Sequence, residues 1–268
     1  MWSKPILLGG SCAMSKESPK KVIMVAVVTC LVCSVLVASA TVALRPAQER
    51  NKALETKKNI LQAAGIYTEG MDIDKAFTQV EPRLVDLESG TFSDGDPSRF
   101  NAIKASKDSS TNYQIPANLD IAKIRQRAKQ ALIYLVKKDD QIETVILPIY
   151  GKGLWSTLYG FVALAADGNQ VKGLTFYEHG ETPGLGGEVD NPRWKAQWPG
   201  KAIFDGKGNL AVKVDKGTVS PDSPMAVHHV DGLGGATLTT RGVNNLIRYW
   251  MGDNGYGPLL KSFKKQGA

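Results

Sequence analysis

Residues 157–178 read TLYGFVALAADGNQVKGLTFYE. Two runs rich in aromatic and β-branched side chains, Thr157–Ala165 and Val171–Glu178, flank Asp167-Gly168-Asn169. Asp and Asn bond their own backbone in turns, and Gly takes the left-handed conformation a tight turn needs. The stretch therefore predicts an antiparallel hairpin. Working outward, Thr144–Ile149 predicts a preceding strand, and Ala202–Phe204 with Leu210–Val214 predicts a shorter pair around Asp205-Gly206. Towards the end, Val243, Leu246, Ile247 and Trp250 recur at i, i+3, i+4 and i+7, and Gly252 follows. That spacing is one face of a helix with its stop signal. Upstream, residues 45–64 are charged and free of glycine, and predict a helix ended by Gly65. Met71–Val80 and Asn118–Ala131 predict two more helices, Arg83–Leu87 a strand, and residues 89–98 a polar loop. The class that follows is α+β, an antiparallel sheet with helices packed on it. The expected organisation is an N-terminal tail at 1–21, an apolar span at 22–44, a helical and mixed region at 45–140, and a C-terminal domain at 141–262.

The apolar span, VIMVAVVTCLVCSVLVASATVAL, holds 23 residues without a charge. A membrane helix needs about 20. Ala38-Ser39-Ala40 has the small-residue pattern of a signal-peptide cleavage site, but the run is long for such a segment and Arg45 ends it. An uncleaved, single-pass anchor is the expectation. Lysines precede the span and both Arg and Lys follow it, so charge does not set its orientation. A short basic tail before a first helix commonly stays inside, which places the large domain outside the cytoplasm. Met14 directly precedes Ser-Lys-Glu-Ser-Pro-Lys-Lys and offers an alternative start to Met1.

The net charge of the 268 residues is +7. Residues 1–44 carry +3 of it, so +4 is spread over the remaining 224 residues. No cluster of Lys and Arg with aromatics marks a nucleic-acid footprint. Cys12, Cys30 and Cys33 all precede residue 34, so the C-terminal domain has no disulfide and no thiolate ligand. The Cys30-x-x-Cys33 pair falls inside the apolar span, where two small lipid-facing residues are the simpler reading than redox chemistry. Three histidines, His179, His228 and His229, are too few and badly spaced for a metal centre.

Three segments carry chemistry. Asp231-Gly232-Leu233-Gly234-Gly235-Ala236-Thr237-Leu238-Thr239-Thr240 sets small residues and a hydroxyl immediately before a helix. Free N–H groups and the helix dipole stabilise a phosphate there, and bare backbone lets it approach. A plain loop-to-helix junction has the same composition. His179-Gly180-Glu181-Thr182-Pro183-Gly184-Leu185-Gly186-Gly187-Glu188 is a shaped loop that can lie against a planar ligand. Glu181 and Thr182 are candidates to bond a ring edge, and Leu185 to cover a ring face; a plain surface turn is the alternative. Gly151-Lys152-Gly153-Leu154-Trp155 offers an indole as pocket wall or core residue. No Gly-x-Gly-x-x-Gly joins a strand to a helix, so the chain lacks a dinucleotide fingerprint.

Together with Asn191-Pro192-Arg193-Trp194-Lys195 and Gly252-Asp253-Asn254-Gly255-Tyr256-Gly257-Pro258, these segments resemble, in order and spacing, the C-type subunits of the sodium-translocating NADH:quinone oxidoreductases. The resemblance covers nearly all of residues 14–262. It implies an FMN-binding domain at 141–262, with the FMN phosphate joined to Thr237 as a phosphodiester by a separate flavin transferase that uses FAD. It implies flavin contacts from Gly234, Gly235, Ala236, Leu238 and Thr239 around the acceptor. Leu154, Trp155, Glu181, Thr182, Leu185 and Gly186 match the pocket, and Lys216 matches a basic contact on the phosphate side. The family pattern is usually Ser-Gly-Ala-Thr, whereas Gly234 stands here in place of serine. The resemblance further implies a bacterial inner-membrane protein with a periplasmic domain. It would carry electrons within a multi-subunit complex that oxidises NADH, reduces ubiquinone and exports Na+, with no catalytic acid or base of its own. A flavoprotein like the G-type subunits of Rnf ferredoxin:NAD complexes, or a flavin-free extracytoplasmic anchor, are the alternatives.

Overall fold

A computed structural model describes residues 18–266. Most of the expected N-terminal tail, with Met14 and Cys12, lies outside the described residues. Helix α1 runs from Pro19 to Ala63. The apolar span and the charged segment after it are therefore one helix, not two, and it continues through Pro46 even though proline removes an intrahelical hydrogen bond. The boundary between the chain's two compact units falls inside this helix, after Lys52. In the first unit the side chains from Val22 to Leu44 are exposed, Cys30 and Cys33 among them. By length and composition the helix is able to cross a membrane.

The second unit is built on a six-stranded antiparallel sheet. In chain order its elements are α2 (Ile73–Phe77), β1 (Val80–Asp86), β2 (Phe92–Ser93), α3 (Ala102–Lys107), β3 (Asn112–Gln114), β4 (Gln126–Ala128), β5 (Gln130–Lys138), β6 (Gln141–Lys152), β7 (Thr157–Ala165), β8 (Val171–Glu178), α4 (Pro192–Lys195), β9 (Lys213–Val214), β10 (His229–Val230), α5 (Thr237–Met251) and α6 (Gly257–Gln266). The sheet order is β2-β1-β5-β6-β7-β8. β5 pairs with β6, so the expected boundary at 140/141 falls in the turn of a hairpin, and both segments build one sheet. The hairpin read from residues 157–178 is β7–β8. Its turn is held by Asp167, whose Oδ1 accepts from the amides of Asn169 at 2.8 Å and Gln170 at 3.0 Å. Gly168 has a φ of +64°. Asp167→Ala is expected to cost about 1 kcal/mol, the size of a side-chain-to-backbone bond, read as a lower urea midpoint with unchanged slope.

Both faces of the sheet are covered, because successive side chains of a strand point to opposite sides. Val145, Leu147 and Ile149 of β6 pack into a cluster with Val243, Leu246, Ile247 and Trp250 of α5 and Leu259, Leu260 and Phe263 of α6. Ile146 of the same strand packs on the other side with Phe161 and Ala163 of β7 and with Ile60, Leu61 and Ala63 at the end of α1. Each fully buried aliphatic side chain contributes about 1.5–3 kcal/mol. The α5 stripe therefore fixes that helix against the sheet. Trp250 adds a hydrogen bond from its indole Nε1–H to the Tyr150 carbonyl at 2.7 Å.

Two helices are shorter or absent relative to the sequence reading. Met71–Val80 gives only α2, because Val80 already pairs with Val136 in the sheet. Asn118–Ala131 forms turns, β4 and the start of β5 rather than a helix. Asp120 accepts from the amides of Ile124 and Arg125 at 2.9 and 2.8 Å, and Lys123 and Arg125 take positive φ. The loop is closed from outside by the Lys152 amide on the Ala122 carbonyl at 2.9 Å. The predicted pair around Asp205-Gly206 is reduced to a bridge between Phe204 and Leu210, while β9 pairs in parallel with β10 instead. The polar loop at 89–98 contains β2.

Candidate functional site

Three segments distant in sequence meet at one end of the sheet: the β6–β7 turn at 153–156, the loop after β8 at 179–191, and the N-terminus of α5. Glu181 ties them together. Its carboxylate accepts from the amides of Leu154 (3.2 Å), Trp155 (2.9 Å) and Ser156 (3.2 Å), and from the Thr239 hydroxyl at 2.6 Å. Glu181 is 5% exposed and Thr239 is 1% exposed. An ionised carboxylate offers about four acceptor positions, and four donors fill them here. The structure thus gives Glu181 four protein partners, drawn from two other segments. Glycines make the approach possible: a Cβ on Gly186 would stand 2.5 Å from Thr239 Oγ1 and 2.8 Å from Glu181 Oε2.

Burial alone would raise the Glu181 pKa. The Thr239 hydroxyl and the three amides outweigh it and hold the carboxyl below its ordinary value of 4.5. A carboxyl depressed in the folded state stabilises fully above its unfolded value, and that stability is lost as pH falls through the folded value. We expect an acid-side loss of stability beginning below 4.5, measured by urea unfolding from about pH 6 to about pH 3. In Glu181→Gln that limb should be shallower, at a lower starting stability.

His179 braces the same loop. Its Nδ1 accepts from the Glu181 amide at 3.2 Å, which leaves Nε2 as the donor to Asp190 at 2.7 Å. The Thr182 carbonyl accepts from the amides of Leu185 at 3.1 Å and Gly187 at 2.9 Å, closing the turn that carries Gly184 at a φ of +75°. Thr182 itself is exposed. Ser156, which the sequence reading does not single out, accepts from the Gly180 amide at 2.6 Å and links turn to loop.

The start of α5 is open. Its N-cap is Ala236, which has no side-chain acceptor, whereas Ser, Thr, Asp or Asn ordinarily occupies this position. Among the described residues none accepts from the amides of Gly234, Gly235, Thr237, Leu238 or Thr239. Thr237 is exposed and its hydroxyl makes no hydrogen bond within the described residues. The other two hydroxyls of the segment are buried and committed, Thr239 to Glu181 and Thr240 to the Leu233 amide at 3.0 Å. Gly235 has a φ of +70°, and Leu185 Cδ2 lies 3.1 Å from where its Cβ would be. At Gly234 a Cβ would meet nothing within 4 Å, so the serine common in the family pattern has room there.

Around this point sit exposed apolar side chains: Trp155 at 66%, Leu154 at 39%, Leu185 at 45% and Leu238 at 47%. Lys216 is exposed and forms no ion pair among the described residues. Its backbone lies against Gly232, where a Cβ would come within 3.0 Å of the Lys216 carbonyl oxygen. Asp231 anchors the other side of the loop, accepting at Oδ1 from the Val219 amide at 2.7 Å and at its carbonyl from Trp194 Nε1 at 2.8 Å. Open amides, a free hydroxyl and uncovered apolar faces suit a ligand with a phosphate and a flat ring system. Among the described residues no group of three or more His, Cys, Asp or Glu is placed to hold a metal ion.

Residues 153–252 match the model of the FMN-binding domain family. The C-type subunit of the Na(+)-translocating NADH-quinone reductase of Pseudomonas aeruginosa is 49% identical over 256 residues, covering 94% of this chain and 98% of that one. The chain belongs to that family, NqrC. The Yersinia pestis member is 47% identical, covering 94% of this chain and 95% of its own. The crystal structure of Shewanella oneidensis NqrC superposes with a TM-score of 0.72 at 37% identity, over 82% of this chain and 99% of that one. The FMN-binding match begins at the 153–156 turn and ends where α5 ends, so it encloses the meeting point of the three segments. Four of the six strands of the sheet, β1, β2, β5 and β6, lie before it.

Proposed function

We propose that this chain is the membrane-anchored, FMN-bearing electron-carrier subunit of a Na+-translocating NADH:ubiquinone oxidoreductase, with FMN esterified to Thr237. The observation that carries the reading is the free, exposed Thr237 hydroxyl at the start of an uncapped helix, among five open amides, inside the region that matches FMN-binding domains. The open amides, with the dipole of α5, would hold the negative charge of the phosphodiester. Leu185, Trp155, Leu154 and Leu238 offer apolar faces to the ring system, and the 181–187 loop shapes its bed. Lys216 adds a positive charge on the phosphate side. The flavin supplies the redox chemistry, and the protein supplies orientation, burial and electrostatics. A diester bond retains the cofactor whatever its oxidation state. Thr237 is an attachment point, and no acid or base is required of the chain.

NADH and ubiquinone would bind other subunits, and a flavin transferase would load Thr237. Helix α1 would anchor the chain in the bacterial inner membrane, with the sheet domain on the periplasmic side. The test is to express the chain with its partner subunits and a flavin transferase, then follow NADH-driven quinone reduction with and without Na+. The expected result is Na+-stimulated turnover, with a flavin-fluorescent band at this chain's mass on a denaturing gel. Unchanged turnover in a complex lacking the chain would sink the reading.

A further inference from the structure

Glu181 and Thr239 stand apart from the long and polar side chains named around them. They are buried, while Leu154, Trp155, Thr182, Leu185, Thr237 and Leu238 are exposed. Their mutual bond spans 58 positions of sequence at 2.6 Å. The remaining acceptor capacity of Glu181 goes to three consecutive amides of the β6–β7 turn. One carboxylate therefore fixes the turn that presents Trp155 relative to the helix start that presents Thr237. Thr239 is the third residue of α5, two positions beyond the acceptor. Its hydroxyl can reach Glu181 only when the first turn of α5 is wound and faces the loop.

The packing around the pair leaves it little freedom. A Cβ on Gly153 would stand 2.5 Å from Glu181 Oε1, and one on Gly186 would collide with both partners. Deleting the hydroxyl of Thr239 would leave a buried carboxylate oxygen short of a donor, a cost larger than the bond's own net contribution. Charge-assisted bonds are also the stronger and more directional ones.

We propose that Glu181 and Thr239 form a latch that presets the first turn of α5 for modification at Thr237, acting as positioning residues without touching the cofactor. This rests on the reading of Thr237 as the FMN acceptor. In the loading step the Thr237 oxygen bonds to the phosphorus of the FMN half of FAD. The bond between the two phosphates breaks, AMP leaves, and the hydroxyl proton is released. The latch acts before that step, by holding Thr237 and the open amides in the geometry the transferase must meet. Nothing in it requires Glu181 to accept the proton, since its acceptor positions are already filled.

The experiment uses the full-length chain in detergent, made without a transferase, then incubated with purified flavin transferase, Mg2+ and FAD. Intact mass is followed over time for wild type, Thr237→Ala, Glu181→Gln, Thr239→Val, Thr239→Ser and the Glu181→Gln/Thr239→Val double variant. Thermal melts identify the variants that keep the fold. The latch expects Thr239→Val to load at least about tenfold more slowly, the scale of one charge-assisted hydrogen bond. Thr239→Ser, which keeps the hydroxyl, should load within about twofold of wild type. The double variant should be no slower than the slower single one, because both remove one interaction. Wild-type loading in a folded Thr239→Val overturns the latch and leaves the functional reading standing. So does a serine variant as slow as the valine one, which would point to packing. If wild type itself takes up no FMN from an active transferase, the functional reading falls and the latch with it.

Discussion

Thr237→Ala is expected to abolish covalent flavin. The intact mass of the wild-type chain made with a flavin transferase should carry an FMN-sized increment, and the variant should carry none. The structure gives the reason to expect a complete loss. Two more threonines follow within three residues, and in a flexible loop either would serve as a substitute acceptor. Here the Thr239 hydroxyl donates to a buried carboxylate and the Thr240 hydroxyl accepts from a backbone amide. Both are nearly inaccessible, at 1% and 2% exposure. Only Thr237 combines exposure with an uncommitted hydroxyl in this segment. Thr237→Ser should keep the increment, because it keeps the oxygen. An increment that persists in the alanine variant would mean a different acceptor, and peptide mapping would find it.

Gly242→Val should be the most damaging single change to the frame of the site. Glycine inside a helix costs about 1 kcal/mol relative to alanine, so its presence in the middle of α5 needs a reason. A Cβ at Gly242 would stand 2.5 Å from the Lys152 carbonyl oxygen and 3.0 Å from Gly153 Cα. These are backbone atoms, which do not swing aside as a side-chain tip would. The helix packs directly on the chain where β6 enters the 153–156 turn. Overpacking of this kind costs about 1–3 kcal/mol, and a branched side chain belongs at the upper end. We expect Gly242→Val to lose about 3 kcal/mol in urea unfolding, and to load FMN poorly because the turn carrying Trp155 is pushed away from α5. Full stability together with full loading would contradict the packing described.

Much of this is legible from residues alone, for identifiable reasons. The β7–β8 hairpin shows in Asp167-Gly168-Asn169 because the turn is local chemistry: Asp167 bonds amides two and three positions on. The α5 stripe is readable because its four apolar residues all face the sheet, with Val243 and Leu246 fully buried. Segment 118–131 reads wrongly as a helix because its Ala, Lys, Gln and Arg content favours one, while its fold is set by remote partners. Arg127 donates to the Asn254 carbonyl at 3.0 Å, more than a hundred positions away, and lies over the Tyr113 ring. The place of Glu181 is readable only in part. Its position in a shaped loop singles it out, but nothing local reveals that four donors from two other segments fill its carboxylate. The glycines hold the missing signal: Gly153, Gly186 and Gly242 all sit where another segment presses in.

The uncapped start of α5 bears on the life of the protein. A missing cap typically leaves a helix about 1 kcal/mol short, a deficit the Thr239–Glu181 bond offsets here only in part. A phosphodiester on Thr237 would supply the absent acceptor from outside the polypeptide. Flavin loading would then complete the helix start as well as begin the function. On that reading an unloaded chain would differ from a finished one in the open amides of a turn that the Glu181–Thr239 bond already holds, and an assembling complex would have a physical feature by which to tell the two apart.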